Sequence, residues 1–231
     1  MNPRLAPLMA GAAAATTAAL VLALRLYRPW QLRWGSTDEE VHSALPGDEV
    51  VPDPTFAATR AITVDAPPER VWPWITQMGF GRAGWYSYDL LDNFGRRSSE
   101  RVIASLQEVK VGDTVPMGPG GGGLRVKGLE PGQWLLWWDG VGHSTWAWRL
   151  ESAGPGRTRL LTRVRIHYRW THPTILFNLL LVEPWDFPMM RKCMIGIKER
   201  AESSNDDARA VLGAADTRRR TDAECSPSPP G

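Results

Sequence analysis

TRAITVDAPPERVWPWITQMGFGRAGWYSYDLLDN, residues 59–93, changes its periodicity twice, and those changes decide the fold. Ile62 and Val64 alternate with Ala61 and Thr63, the period of a half-buried strand. Ala66-Pro67-Pro68 ends that strand, with Asp65 placed to cap a helix and proline suited to a first turn whose N–H groups lack partners anyway. Val71, Trp74, Ile75 and Met78 then recur at i, i+3, i+4 and i+7 and predict one apolar helical face. Pro73 inside that run predicts a bend or a delayed start. Gly79 and Gly81 end the helix. A second short helix follows GWYSYD, with Ser87 as its expected cap.

Downstream, the period of two dominates. Val111-Gly112-Asp113 marks a turn, and Met117–Gly123 is MGPGGGG, a hairpin connection or a mobile lid. No Gly-Lys-Ser/Thr follows it, so it is not a phosphate-binding loop. LRVKGL alternates. In QWLLWWD, Trp134, Leu136 and Trp138 share one face, with Leu135 and Trp137 opposite. Trp146, Trp148 and Leu150 share a face, as do Leu160, Thr162, Val164, Ile166 and Tyr168; Arg159, Leu161, Arg163, Arg165, His167 and Arg169 take the other. Consecutive alternating segments separated by DGVGHS and AGPGR predict an antiparallel meander with one wet face. The last apolar pattern is helical: Pro173 to Val182, an interruption at Pro184 and Pro188, then Met190, Met194, Ile197 and Ala201 at helical spacing. It predicts a long helix bent near the prolines.

DAPPERVWPWITQMG, AGWYSYDLLDN, VGDTVP and EPWDFPMMRKCMIGIKERAE resemble a bacterial, membrane-anchored branch of the SRPBCC superfamily, over roughly 34–202. That superfamily joins START-related, birch-pollen-allergen-like and polyketide cyclase/dehydrase or lipid-transport proteins. The resemblance implies an α+β helix-grip fold: a curved antiparallel sheet around a long C-terminal helix, with two short helices after the first strand. It also implies an apolar cavity where helix and sheet fail to close. The candidates for its wall are Trp138, Trp146, Trp148, Thr162, Tyr168, Met190, Met194 and Ile197, together with Trp85, Tyr86, Tyr88 and Asp89 from GWYSYD. Read without the resemblance, the same residues are an ordinary tryptophan-rich core.

The ends read differently. Residues 6–24 are nineteen positions without a charge, about the length of helix that spans a bilayer core. A membrane anchor is the expectation; a cleaved signal peptide or an alanine-rich soluble terminus are the alternatives. Arg25, Arg28 and Arg33 follow the run and only Arg4 precedes it, which places the remainder on the cytoplasmic side of a single-pass cell-membrane protein. Trp30 and Trp34 suit an interfacial belt or packing on the domain. Thr37 to Glu40 fits a capping box, and LPGDEVVPDP reads as linker. Residues 204–231 read as a disordered tail. The expected division is therefore an anchor (1–28), a juxtamembrane segment and linker (29–57), the helix-grip domain (58–203) and the tail (204–231).

Little in the chain suggests an established chemistry. Net charge is +2 over 231 residues with twelve tryptophans, so no bulk charge draws nucleic acid. Cys193 and Cys225 form no framework. His42, His143, His167 and His172 show no metal-ligand spacing, and no cofactor is expected. Asp89 and Asp92 could be paired carboxylates for acid–base work, or serve capping and salt bridges with Arg96 or Arg97. Tyr86 and Tyr88 could donate hydrogen bonds to a ligand. Arg149, Arg163, Arg165 and Arg169, with Arg125 and Lys127, form a solvated strand face or a surface for anionic headgroups. Three functions follow, in this order: a membrane-tethered carrier or sensor for a hydrophobic small molecule or lipid, a polyketide cyclase/dehydrase-like enzyme using the same cavity, and a ligand-free interaction domain. Oligomeric state is not legible.

Overall fold

The computed structural model describes residues 22, 25–168 and 185–203. Helix α1 covers 25–32 and α2 covers Asp38–His42. Strand β1 (Phe56–Val64) is followed by α3 (Pro68–Thr76), α4 (Asp89–Asp92) and a 3-10 turn at Ala104–Leu106. Five strands then run in succession: β2 (Thr114–Pro116), β3 (Gly123–Glu130), β4 (Trp134–Trp138), β5 (Ser144–Ser152) and β6 (Thr158–Ile166). Helix α5 covers 185–203.

The six strands form one antiparallel sheet in the order β1-β6-β5-β4-β3-β2. The meander β2 to β6 follows the alternation of the sequence. β1 closes against β6, from Phe56 opposite Ile166 to Val64 opposite Thr158. A register shift between Val126 and Gly128 interrupts β3; bulges of this kind increase local twist and bend a strand. Gly128 lies beneath the Trp134 ring, where a Cβ would sit 3.1 Å from it.

The inner face is apolar and meets α3 and α5. Val71, Trp74, Ile75 and Met78 are buried with Trp137, Trp148, Leu150 and Leu160, and with Met190, Met194, Ile197 and Ala201 of α5. The α5 set has the expected spacing. Pro188 lies within the described part of α5, which is helical from 185 to 203. Residues 173–182, expected to begin that helix, lie outside the described residues, as do the expected tail and all of the expected anchor (1–28) except residues 22 and 25–28.

Several local expectations are corrected. Asp65 does not cap α3: the cap position is Pro67, which makes no side-chain hydrogen bond. Asp65 instead pairs with Arg157 (2.7 Å) and donates its backbone N–H to Glu202 (2.7 Å). Its short side chain is drawn to the guanidinium rather than back across two prolines. α3 runs through Pro73 as one nine-residue helix. Tyr88, not Ser87, precedes α4. The capping box of α2 forms as expected, Thr37 Oγ1 accepting from Glu40 N (3.2 Å) and Glu40 Oε2 from Thr37 N (2.7 Å).

The largest correction concerns the outer face of the sheet, which is covered rather than wet around β6. Residues 35–53 lie across it, held by a row of arginines. Arg163 is only 4% exposed. It donates to Thr59 Oγ1, Asp48 Oδ2 and the carbonyls of Glu40, Val41 and Ser43, at 2.6 to 2.9 Å. Arg159 grips Glu40 through two bonds (2.6 and 2.8 Å) and the Gly35 carbonyl. Arg165 takes the carbonyls of Val51 and Pro52, and Arg149 that of Ala44. Leu45 packs beside Leu136 and Ala147 in a second small apolar cluster. The alternating arginines therefore fasten a strap. Each guanidinium offers five donors in a planar fork, which suits a row of strap carbonyls. Arg125 stays exposed and Lys127 half-buried; Arg169 lies outside the described residues.

Candidate functional site

Sheet and α5 do not close fully. Between them is a cavity of about 550 Å³. Trp146, Val164 and Ile166 supply its sheet wall, and Trp185, Asp186, Met189, Met190 and Cys193 its helix wall. Trp85, Ser87, Leu91, Asp92 and Phe94 form a third wall, while Met117 and Leu124 reach in from the β2–β3 hairpin. The strand period and the helix period thus converge on one space, with GWYSYDLLDN folded between them.

That third wall is held by a compact hydrogen-bond net. Asp89 Oδ1 accepts from Asn93 Nδ2 (2.7 Å), Ser98 N (3.0 Å) and Ser98 Oγ (2.8 Å). Burial pushes the Asp89 carboxyl up, but the bonds from Ser98 and Asn93 outweigh it and leave the group below the usual carboxylate range. Asn93 Oδ1 in turn accepts from Trp85 N (3.2 Å), which seats the indole at the wall. Tyr86 adopts a left-handed backbone, φ 55°, uncommon for a bulky residue. Its hydroxyl accepts from Gln77 Nε2 at 2.8 Å, its ring packs edge-on to Trp74, and the Arg200 guanidinium lies over it at 4.7 Å. Burial pushes the phenol pKa up.

Each expected wall residue now has a place. Trp85, Trp146 and Met190 line the cavity. Trp85 and Trp146 are stacked, centroids 5.6 Å apart and 14° from parallel. Trp146 Nε1 donates to Thr162 Oγ1 (2.8 Å), which donates to Ala147 O (3.0 Å), so Thr162 orients the indole from beneath. Tyr86, Trp148, Met194 and Ile197 are fully buried core and do not line the cavity. Tyr168 is buried beside Phe56. Tyr88 is exposed. Asp89 serves the scaffold. Trp138 faces the other way: Trp137 is the core tryptophan opposite Trp146, and the Lys127 ammonium sits 4.1 Å from the Trp138 ring. QWLLWWD offers two alternating sets, and only the register of β4 on β5 chooses between them.

Five polar residues went unrecognised as wall residues, Ser144 and Thr145 of β5 and three others. Ser87 Oγ is buried with no hydrogen-bond partner among the described residues. Asp92 faces the cavity; burial, and then the Asp89 charge, push its carboxyl up to about 6 against the Tyr88 backbone N–H. Asp186 is ion-paired at 2.7 Å with Arg60. Arg60 lies on the inner face of β1, 1% exposed, and also donates from Nε to Gln31 O (2.9 Å). Its parity with Ile62 and Val64 was the available signal. Burial, and then Asp92, push the Cys193 thiol up, so it is a poor nucleophile. Among the described residues no group of His, Cys, Asp and Glu could hold a metal ion.

No family profile and no curated protein matches the chain. Among solved structures it is similar to Aha1 of Colwellia psychrerythraea (17% identity, 60% of this chain and 94% of that chain, TM-score 0.32). It is also similar to a polyketide-cyclase-like protein of Corynebacterium glutamicum (15% identity, 68% and 93%, TM-score 0.32) and to a protein of Thermus thermophilus (15% identity, 64% and 99%, TM-score 0.31). The first two are SRPBCC-type folds. At these scores the likenesses carry no argument about site or activity. The α+β helix-grip class stands on strand order, the two helices after β1, and α5 laid on the inner face.

Proposed function

We propose that the chain is a membrane-tethered carrier or sensor that holds a hydrophobic small molecule or lipid between the sheet and α5. The observation that carries this reading is the cavity: about 550 Å³, within the range of small-molecule sites, with mostly apolar and aromatic walls and few polar groups. Met189 and Met190 suit a flexible apolar guest. A ligand-free domain would need sheet and helix in full contact. Its test is native mass spectrometry of the full chain purified from its own cells. A co-purifying lipid-sized mass is expected; apoprotein alone, with no uptake of added apolar ligands, removes the reading.

The tether is part of this reading. Among the described residues no helix is long and apolar enough to cross a membrane, and the uncharged run lies almost wholly before them. What supports a bilayer nearby is the cavity mouth, where Phe94 is 64% and Trp185 51% exposed. Tyr27 and Trp30 of α1 pack on Phe187, two residues along from Trp185. Retention of the full chain in the membrane pellet after alkaline carbonate washing is expected; release would leave a carrier without a tether.

One observation favours a second reading, a polyketide cyclase/dehydrase-like enzyme. Asp92 is the cavity carboxyl without an ion-pair partner among the described residues, and burial raises it to about 6, closer to the range in which a general acid or base works best. Asp89, its expected companion, is occupied by Ser98 and Asn93. Turnover of a poly-β-keto analogue, lost in Asp92→Asn and kept in Tyr88→Phe, is what this reading requires.

A further inference from the structure

The cavity wall carries an unbalanced charge. Among the described residues two that line it are carboxylates, Asp92 and Asp186, and none is Lys, Arg or His. Asp186 is answered by Arg60 at 2.7 Å, so that pair contributes no net charge. Asp92 takes part in no ion pair among the described residues. On its own helix it faces Asp89, which repels it, and the Tyr88 N–H. From α5 it faces the Cys193 thiol. Arg200, whose charge is felt by Asp89 and Cys193, is committed to the Ser99 and Gly196 carbonyls. Trp85, bonded to Asn93 beside Asp92, and Trp146 bring aromatic walls to the same space, and Ser87 Oγ adds an unused polar atom.

We propose that the ligand is a cationic amphiphile, whose ammonium head is received by Asp92 and the tryptophan walls and whose apolar tail fills the Met189–Met190 side. A carboxylate in an apolar wall is costly without a partner, and an ammonium against indole faces gains from the ring quadrupole as well as from the charge. An anionic head such as a fatty acid meets repulsion at the same place. Burial, and then the Asp89 charge, hold the Asp92 carboxyl above its ordinary range, at about 6, so an ammonium and a proton compete for it.

This rests on the carrier reading, and the two fail separately. The full chain in nanodiscs is titrated calorimetrically with octyltrimethylammonium, octanol and octanoate, empty nanodiscs serving as blank. At pH 7.5 the ammonium is expected to bind about tenfold or more tighter than octanol, and octanoate more weakly than octanol. Asp92→Asn removes the preference for the ammonium over octanol, and octanol binding that persists shows that the variant keeps its cavity. In the unmutated chain, ammonium affinity falls as pH drops through about 6, and octanol affinity does not. Octanoate binding as tightly as the ammonium, or an ammonium affinity indifferent to Asp92→Asn and to pH, overturns the proposal but spares the carrier. Failure of all three ligands to bind sinks both.

Discussion

Arg163 shows how one residue can be read correctly for face and wrongly for environment. Its place in the alternation puts it on the outer side of β6, but that side is covered, and its guanidinium supplies five bonds to the strap and to Thr59. Arg163→Ala leaves Asp48 and three carbonyls short of donors in a largely buried place. The expected cost is about 3 kcal/mol or more, read by chemical denaturation, with cleavage between 40 and 53 as the signature in limited proteolysis. A loss under about 0.5 kcal/mol, typical of exposed positions, would mean the strap is held by other contacts. Asp92 makes the opposite prediction. Its folded pKa, about 6, lies above the ordinary aspartate value of the unfolded chain, so the folded state binds the extra proton. Stability is therefore highest below about pH 4 in this respect and declines as pH rises through 6. Asp92→Asn should stabilise the chain at pH 7.5 by up to about 2 kcal/mol, discounted for partial solvent exposure, and leave it unchanged near pH 4. A variant less stable at both pH values would show Asp92 to be a scaffold residue like Asp89.

At the scale of elements, α5 and the GWYSYD segment meet at Gly196. A Cβ there would lie 2.3 Å from the Tyr86 carbonyl oxygen and 2.9 Å from its Cβ. In an open helix Gly→Ala stabilises by about 1 kcal/mol. Here the neighbour is backbone already held at positive φ, so Gly196→Ala should destabilise by about 1–3 kcal/mol. The sign decides, and a thermal melt reads it. Because α5 forms the cavity's helix wall, the variant should also weaken octanol binding. What was legible at this scale was the elements and their periods: α3 from Val71, Trp74, Ile75 and Met78, and the inner face of α5 from Met190, Met194, Ile197 and Ala201. The choice of wall tryptophan was not. Trp137 and Trp138 are adjacent and chemically alike, and strand β4 presents one to each side. Only its pairing with β5, Trp137 opposite Trp146, says which side is the core. Asp89 and Asp92 were equally indistinguishable, since a four-residue helix offers no period to separate a scaffold carboxylate from a cavity one.

For the molecule as a whole, the chain closes late. β1 pairs with β6, Phe56 opposite Ile166, and the strap hangs on arginines of β5 and β6. The ladder partners of β1 and the arginines that hold the strap are in place only when the meander is complete, a pattern of long-range contacts that costs loop entropy first. Native-state hydrogen exchange should therefore show the amides of β1, β6 and residues 35–53 opening together with one free energy. Exchange of the strap well ahead of β1 would separate it from the domain and make it the linker it resembles in sequence. The sequence by itself determined the antiparallel meander, the strand–helix–helix opening and the apolar α5, because periods of two and 3.6 are local properties of side-chain direction. It could not determine that the arginine-bearing face lies under a strap, that Arg60 reaches inward to Asp186, or that Asp92 and not Asp89 meets the cavity. Those depend on which segments, distant along the chain, share a desolvated space. Burial and charge pairing become defined only when the sheet has curved around its helix.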